Sequence, residues 1–516
     1  MNRRELLGGI GVGAGALLTA APVGLAADDS GIVDMSALSL SEAIHARTVS
    51  CVEVMRAYLT RIERLNPTFN AIVSLADADK LVHAADRADR MLARGEDQGW
   101  LHGFPVAVKD LANASGFVTS MGSPIFANQV ATSDSVHVAR MKQAGAIVIG
   151  KTNVPEFGLG SQSYNTVFGA TGNPYDAALT AGGSSGGAAA ALALRMVPVA
   201  DGSDFMGSLR NPAAFCNVIG FRPSPGVVPI GGDFKEALAC NGPMGRNVSD
   251  TAMLLSTIAG YHPASPASVP TDTTQFTKPL ERSWRGARIG WLGDFDGYLP
   301  FDPGVLGTCR KAVDSFALLG CRVEDARLDF SMPELWQTWL VYRHWMTRAR
   351  GLGFYQDEDL RGQLKPEFIW EVEQGAEISG DQVNTAVAAR ARFYASVQAA
   401  FGKYDALVWP TTQVFPFPHT LPWPREVGGR TMDTYHRWME TVIPGTLAGC
   451  PVINVPAGFR SSSPTSDMRA QGTELPLGLQ VMTPRFTELK TLQLAYAYEQ
   501  ATRWNLDHPP PALMSL

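Results

Sequence analysis

The sequence lacks the residue patterns that mark many metal-dependent and nucleotide-dependent enzymes. It contains no H-E-x-x-H pair and no G-x-x-x-x-G-K-[ST] stretch, so neither a zincin-type zinc site nor a phosphate-binding P-loop is supported. Cysteine is scarce, and its six residues show no C-x-x-C spacing, which argues against a structural zinc site or an iron–sulfur cluster. We expect mostly buried free thiols at positions 51, 216, 240, 309, 321 and 450.

An excess of basic charge is also absent. The 43 Lys and Arg residues face 49 Asp and Glu residues, so the net charge is −6, whereas a general nucleic-acid-binding protein carries a basic face. No nucleic-acid partner is therefore expected. Hydrophobic residues make up 45% and charged residues 18% of the chain, which is typical of a globular protein with a large core.

Long apolar runs are absent beyond the N-terminus. Residues 1–27 have a basic start with Arg3 and Arg4, an apolar stretch rich in Gly and Ala, and a small-residue end. This is the layout of a signal peptide, and the paired arginines resemble a twin-arginine signal. We expect a mature chain, residues 28–516, that is periplasmic or secreted, with no stable membrane association after cleavage. An uncleaved anchor is the alternative, although the stretch is barely long enough to span a bilayer.

Short apolar runs alternate with helical patterns in the rest of the chain. Residues 104–108 and 146–150 are two such runs, which predicts buried strands in an α/β fold. We predict an α/β core over about 70–265 and 440–505, interrupted by a helical, aromatic-rich insertion over about 270–430. The aromatic residues of this insertion suggest an apolar or aryl substrate wall, and ordinary core packing is the alternative.

Helix signals are clear near the start of the mature chain. A helical pattern covers about residues 39–66, and Ser50-x-x-Glu53 is a capping box within it. Asn66-Pro67 is predicted to end that helix.

Three segments carry residues with chemical potential. Lys109 follows an apolar strand, where an ammonium is costly unless it is paired or neutral. Gly182-Gly183-Ser184-Ser185-Gly186 formally matches the G-x-S-x-G nucleophile elbow, but the residues before it read as a loop and not as a strand. Ser208 lies 24 residues beyond Ser184 in a second Gly/Ser segment, whose consecutive N–H groups suit an oxyanion. Taken singly, each feature is ordinary.

Together, the order and spacing of these segments resemble the amidase signature family, over about residues 33–505. This resemblance implies an α/β amidase-signature fold, in which a central mixed β-sheet is covered by helices on both faces. The run at 202–213, GSDFMGSLRNPA, is most similar to the branch that contains 6-aminohexanoate cyclic dimer hydrolase.

The resemblance also assigns roles. It implies that Ser208 is the nucleophile, that Ser184 is a bridging serine after a cis peptide bond, and that Lys109 is a base kept neutral by a lowered pKa. Backbone N–H groups of Phe205, Met206, Gly207 and Ser208 would hold the oxyanion. Met206 stands where the family has a glycine, which leaves the geometry of this loop open because Met cannot adopt positive φ freely.

The expected function is hydrolysis of the C–N bond of a small-molecule amide, with no metal and no cofactor. An esterase or carbamate hydrolase using the same residues, and an exported binding protein without catalysis, are the alternatives. The family also contains the amidase component of glutamyl-tRNA amidotransferase, which works in the cytoplasm with partner subunits, so the export signal argues against that role. A homodimer is a further expectation.

Overall fold

The computed structural model describes residues 30–231, 238–460 and 474–514. The predicted signal peptide, residues 1–27, lies outside the described residues, so the expectations for it stay predictions. Within the described ranges, no helix has both the length and the apolar character needed to cross a membrane.

The described ranges contain seventeen strands. Their bounds are β1 Ile72–Val73, β2 Pro105–Lys109, β3 Ile147–Thr152, β4 Tyr164–Asn165, β5 Gly169–Ala170, β6 Gly172–Asn173, β7 Asp176–Thr180, β8 Ala200–Asp204, β9 Ile219–Arg222, β10 Cys240–Gly245, β11 Arg288–Trp291, β12 Arg322–Asp325, β13 Ala406–Pro410, β14 Glu426–Val427, β15 Arg430–Thr431, β16 Val452–Arg460 and β17 Leu475–Met482.

The same ranges contain seventeen α-helices. Their bounds are α1 Ser30–Asp34, α2 Ala37–His45, α3 Cys51–Phe69, α4 Ala78–Ala93, α5 Val136–Gln143, α6 Gly186–Ala193, α7 Arg210–Phe215, α8 Val248–Ile258, α9 Val305–Asp314, α10 Met332–Gln356, α11 Glu358–Arg361, α12 Pro366–Gln374, α13 Gly380–Phe401, α14 Ile443–Ala448, α15 Glu488–Thr502, α16 Trp504–Asp507 and α17 Pro511–Met514.

Eight strands form the central sheet, in the order β12-β11-β13-β17-β16-β9-β10-β8. β11 pairs in parallel with β12 and β13, and the other pairings in this sheet are antiparallel. The long β16–β17 pair lies near the middle, with Asn454 opposite Gln480. The predicted mixed sheet is therefore confirmed.

Helices cover both faces of this sheet. α7 packs on β16 and β17 and contacts α6, whereas α9 and α15 also pack on β16, and α15 contacts α8. On the α7 face the backbones approach so closely that a Cβ added to Gly478 would lie 1.9 Å from Asn454 Oδ1. Glycine is therefore required at this position for the helix to lie against the sheet.

A smaller sheet carries the first candidate residue. β1, β3 and β2 lie in that order, and β2 runs parallel to β3. These two strands match the apolar runs that predicted them, and Lys109 ends β2 opposite Thr152 of β3. The strand thereby delivers a lysine side chain into a buried part of the molecule.

The predicted insertion over 270–430 is too wide. β11, β12 and β13 fall inside that span and pair within the central sheet. The part that is purely helical runs from α10 to α13, residues 332–401, apart from short connections. Charged residues and tryptophans on both sides of these three short strands hid them from the sequence pattern.

The first long helix also ends later than predicted. Its capping box at Ser50 and Glu53 is present, but α3 continues through Pro67 to Phe69. Proline is tolerated there because the helix ends within one turn, at Asn70 in the left-handed conformation. The side chain of Asn66 then accepts hydrogen bonds from the N–H groups of Ala71 and Ile72, which turns the chain into β1.

The six cysteines are buried free thiols, as predicted. Burial raises the pKa of the Cys240 thiol to about 11 and that of the Cys450 thiol to about 12. Thiols with raised pKa values are poor nucleophiles near neutral pH, so these residues act as core packing.

The close approach at Gly478 predicts a large effect of one methyl group. We expect Gly478→Ala to lower the free energy of unfolding by roughly 1–3 kcal/mol, because the new Cβ would also meet Ala214 Cβ at 2.6 Å. Gly307→Ala, in exposed α9 with nothing within 4 Å of the new Cβ, is the control and should stabilise by about 0.5–1 kcal/mol. Urea unfolding of both variants checks this, and equal effects would contradict it.

Candidate active site

A cavity of about 680 Å³ lies between the core and the helices α10 and α12. Lys109, Ser184 and Ser208, three residues from distant segments, all line it. The cavity therefore brings the three predicted catalytic residues together.

Lys109 is buried in a cage of oxygens. Its side chain is 1% exposed, and Nζ lies 2.9 Å from Ser184 Oγ, 2.7 Å from Ser185 Oγ, and 2.9 and 3.2 Å from Ser203 Oγ and O. No carboxylate of a described residue is within ion-pair distance of this amine. Burial lowers the pKa of Lys109 from 10.5 to about 7, against the opposing attraction of Asp201 and Asp204. The amine can therefore be neutral near pH 7 and accept a proton from a hydroxyl group.

The glycine-rich turn before α6 places Ser184 beside this amine. The Gly183–Ser184 peptide bond is cis, and the Gly183 carbonyl accepts a hydrogen bond from Ser161 Oγ at 2.6 Å. A Cβ on Gly183 would lie 2.9 Å from Gln162 N, and one on Gly187 would lie 2.3 Å from Asn153 N. The glycines are thus needed for close packing of this turn.

Backbone contacts join this turn to the Ser208 loop. The N–H of Ser185 donates to the carbonyl oxygen of Ser208 at 3.2 Å. Ser208 is 6% exposed and faces the same cavity as Ser184.

A buried ion pair holds the Ser208 loop. Asp204, at the end of β8, accepts hydrogen bonds from Nε and Nη2 of Arg210, both at 2.9 Å, and from the N–H groups of Gly207 and Leu209. Burial alone would raise the pKa of this carboxyl, but Arg210 and Arg222 outweigh that effect and hold the pKa well below its ordinary range. Further donations from Arg210 reach Val442 O, Gln480 Oε1 and Thr446 Oγ1.

The loop between Asp204 and Arg210 refines the predicted oxyanion site. The N–H of Gly207 is already bonded to Asp204, so Gly207 is not available as a donor and that prediction is corrected. Within the described residues, the N–H groups of Phe205, Met206 and Ser208 have no hydrogen-bond acceptor. Three donors therefore remain beside the cavity.

The same loop answers the question raised by Met206. The residue with positive φ is Gly207, at 82°, whereas Met206 is not among the residues with positive φ. A methionine is therefore compatible with the backbone at position 206.

The side chain of Phe205 links this loop to the helical region. Its ring packs 5.1 Å from the ring of Trp339 and 5.9 Å from the guanidinium carbon of Arg343, both on α10. Arg343 is itself bonded to Glu371 and Tyr435, and all three are buried. This network supports the loop from the side opposite the Asp204–Arg210 pair.

Sequence reasoning missed several residues of the site. Ser203 contacts the amine of Lys109, and Asp201 accepts the backbone N–H of Lys109 at 3.0 Å. His137, which lines the cavity, lies 3.1 Å from the other oxygen of Asp201. Asp201 and Ser203 lie in the DGSD run, where their polarity in a buried strand was an available signal, but His137 had none.

Comparison with known proteins agrees with this geometry. The profile of the Amidase family matches residues 53–492. The chain belongs to the amidase signature family. It is therefore an enzyme that acts on carbon–nitrogen bonds of amides.

Two curated relatives of this amidase have different named functions. Acylamidase from Rhodococcus erythropolis is 31% identical over 493 residues, which cover 93% of this chain and 98% of the relative. The amidase component of glutamyl-tRNA(Gln) amidotransferase from Acaryochloris marina is 32% identical over 501 residues, which cover 91% of this chain and 99% of the relative.

Solved structures share the fold of the amidase. A bacterial aryl acylamidase superposes with a TM-score of 0.82 at 27% identity, over 92% of this chain and 97% of that chain. 6-Aminohexanoate cyclic dimer hydrolase superposes with a TM-score of 0.79 at 23% identity, over 93% of this chain and 99% of that chain, which shows the fold alone. A special kinship with the latter branch stays a prediction.

The buried ion pair predicts a large loss of stability in one variant. We expect Arg210→Met to lower the free energy of unfolding by about 3–5 kcal/mol, because it leaves the Asp204 carboxylate buried with fewer partners. Arg288→Met is the matched control, since Arg288 makes the same two-bonded contact with Glu324 at the surface. Urea unfolding compares the two variants, and a similar loss in both would contradict the assigned importance of the Arg210 pair.

Proposed function

We propose that the enzyme hydrolyses small-molecule amides through an acyl-enzyme on Ser208, with Ser184 as proton relay and Lys109 as base. The observation that carries this proposal is the buried amine of Lys109, 2.9 Å from Ser184 Oγ, in the cavity that Ser208 also lines. A serine hydroxyl needs a nearby base to attack a carbonyl carbon, and a neutral lysine can serve as that base.

In the acylation step, Ser208 Oγ adds to the amide carbonyl carbon as its proton passes to Ser184 Oγ. The hydroxyl proton of Ser184 passes at the same time to Lys109 Nζ, which becomes an ammonium. The carbonyl oxygen becomes an oxyanion and accepts hydrogen bonds from the N–H groups of Phe205, Met206 and Ser208. These donors are held in place before substrate binds because their loop is anchored on both sides.

The C–N bond then breaks and the proton returns through Ser184 to the departing nitrogen. The amine leaves, Lys109 is neutral again, and the acyl group remains as an ester of Ser208. A water molecule gives its proton to the same relay and adds to the ester carbonyl. Collapse releases the carboxylic acid and restores the Ser208 hydroxyl with that proton.

The same relay would also cleave an ester or a carbamate, so leaving-group preference decides between these activities. The tRNA amidotransferase relatives favour a second candidate, a role as one component of such a multi-subunit enzyme. The twin-arginine-like leader supports the exported, stand-alone enzyme, and export and a homodimeric state remain part of this proposal. Activity of the purified chain alone on small amides would speak for it, and a strict need for other subunits would speak against it.

Substitution of the nucleophile tests the mechanism directly. We expect Ser208→Ala to lose at least about 10³-fold in kcat on any amide, ester or carbamate that the wild type cleaves, since no acyl-enzyme can form. Intact-protein mass spectrometry after mixing with a fluorophosphonate should show one adduct on wild type and none on Ser208→Ala.

Ser256→Ala, a serine of α8 outside the cavity, is the control and should keep both turnover and the adduct. Turnover that survives in Ser208→Ala would exclude Ser208 as the nucleophile and transfer that role to Ser184.

The lowered pKa of Lys109 predicts the pH dependence. The base works only when it is neutral, so kcat/KM should fall about tenfold per pH unit below its pKa of about 7 and level off above it. Steady-state rates from pH 5.5 to 9 check this, with circular dichroism at each pH to verify that the chain stays folded. A flat profile from pH 6 to 8 in folded protein would argue against a lysine base with this pKa.

A further inference from the structure

Four phenylalanine rings form one side of the cavity. We call Phe126, Phe157, Phe354 and Phe368 the aromatic wall. Phe157 stacks on Phe368 at 4.7 Å and on Phe354 at 5.7 Å, and Phe126 meets Phe157 edge-on at 6.0 Å. All four line the cavity, and all but Phe368 are only half-buried, so apolar ring surface faces the empty space. No described tryptophan lines the cavity, so the predicted tryptophan-rich insertion contributes ordinary core there instead.

The wall is built across the join between the core and the helical region. Phe126 and Phe157 come from core loops, whereas Phe354 lies on α10 and Phe368 on α12. Glu156 is buried between the two parts and accepts hydrogen bonds from Ser123 Oγ and from the N–H of Lys365, both at 2.7 Å. The rings are therefore held in position without a ligand.

The wall lies beside the relay serine. Phe157 has a φ of 52°, which is rare for a bulky residue, and Gly158 follows with a φ of 71°. This backbone brings Gly158 against the relay, since a Cβ there would lie 3.4 Å from Ser184 Oγ. A ring on the wall thus lies on the Ser184 side of the cavity.

We propose that the aromatic wall binds an aromatic ring on the leaving amine of the substrate, so that the preferred substrates are N-aryl amides. This rests on the proposed function, in which Ser184 returns the proton to the departing nitrogen and so must face the leaving group. Edge-on and stacked contacts favour a ring over a saturated group of equal size. The cavity lining also includes polar side chains, His137, Asp201 and Asn241, which come from other segments than the wall.

Binding to Ser208→Ala protein tests the ring subsite separately from turnover. Acetanilide and N-methylbenzamide are isomers that carry the ring on the amine side and on the acyl side, and N-cyclohexylacetamide replaces the ring by a saturated group. By NMR titration we expect acetanilide to bind about tenfold more tightly than N-methylbenzamide and at least threefold more tightly than N-cyclohexylacetamide.

The rings themselves are tested in the same background. Adding Phe354→Leu or Phe368→Leu should weaken acetanilide binding about tenfold and leave N-methylbenzamide within twofold. Phe330→Leu, a half-buried ring that pairs with Phe393 outside the cavity, is the matched control and should change neither ligand. Thermal unfolding verifies that each variant is folded, and Phe354, the more exposed of the two, is the less demanding substitution.

Each result has a separate meaning. Equal or tighter binding of N-methylbenzamide would overturn the placement on the amine side, and equal binding of N-cyclohexylacetamide would overturn the preference for a ring. Absence of binding by any of the three ligands would overturn the subsite itself. Wild type that shows the ring preference in binding but forms no Ser208 adduct would refute the proposed function and leave the subsite standing.

Discussion

The buried Asp204–Arg210 ion pair is the interaction on which the site depends. Two charges removed from water are stable only when nearly every donor and acceptor is satisfied. Here the carboxylate collects the N–H groups of its own loop, and the guanidinium reaches Val442, Thr446 and Gln480. One pair therefore shapes the Ser208 loop and also ties the end of β8 to the C-terminal return of the chain.

Lys109 shows the opposite use of burial. Asp204 keeps its charge because guanidinium groups touch it, whereas the amine of Lys109 is surrounded by serine oxygens and by no carboxylate of the described residues. Low polarity without a counter-charge favours the neutral amine. The same buried region thus holds one group charged and prepares a neighbouring group to accept a proton.

The helical region completes the cavity and is not a separate unit. Arg343 of α10 supports Phe205 of the candidate oxyanion loop, and Lys365, just before α12, is bonded to Glu156 in the core. Aromatic rings fill both contacts. The two parts of the chain therefore share one cavity, with polar chemistry on the core side and apolar surface where they meet.

The sequence by itself was sufficient for the features that depend on local spacing. The strand before Lys109, the capping box at Ser50, the glycine-rich turn at Ser184 and the family likeness could all be read from neighbouring residues. Only the tertiary structure decided that the Gly207 N–H is taken by Asp204, that three short strands of the 270–430 region join the sheet, and that phenylalanines and not tryptophans line the cavity. These features depend on which side chains meet across a hundred or more residues, and packing of the whole core selects those contacts.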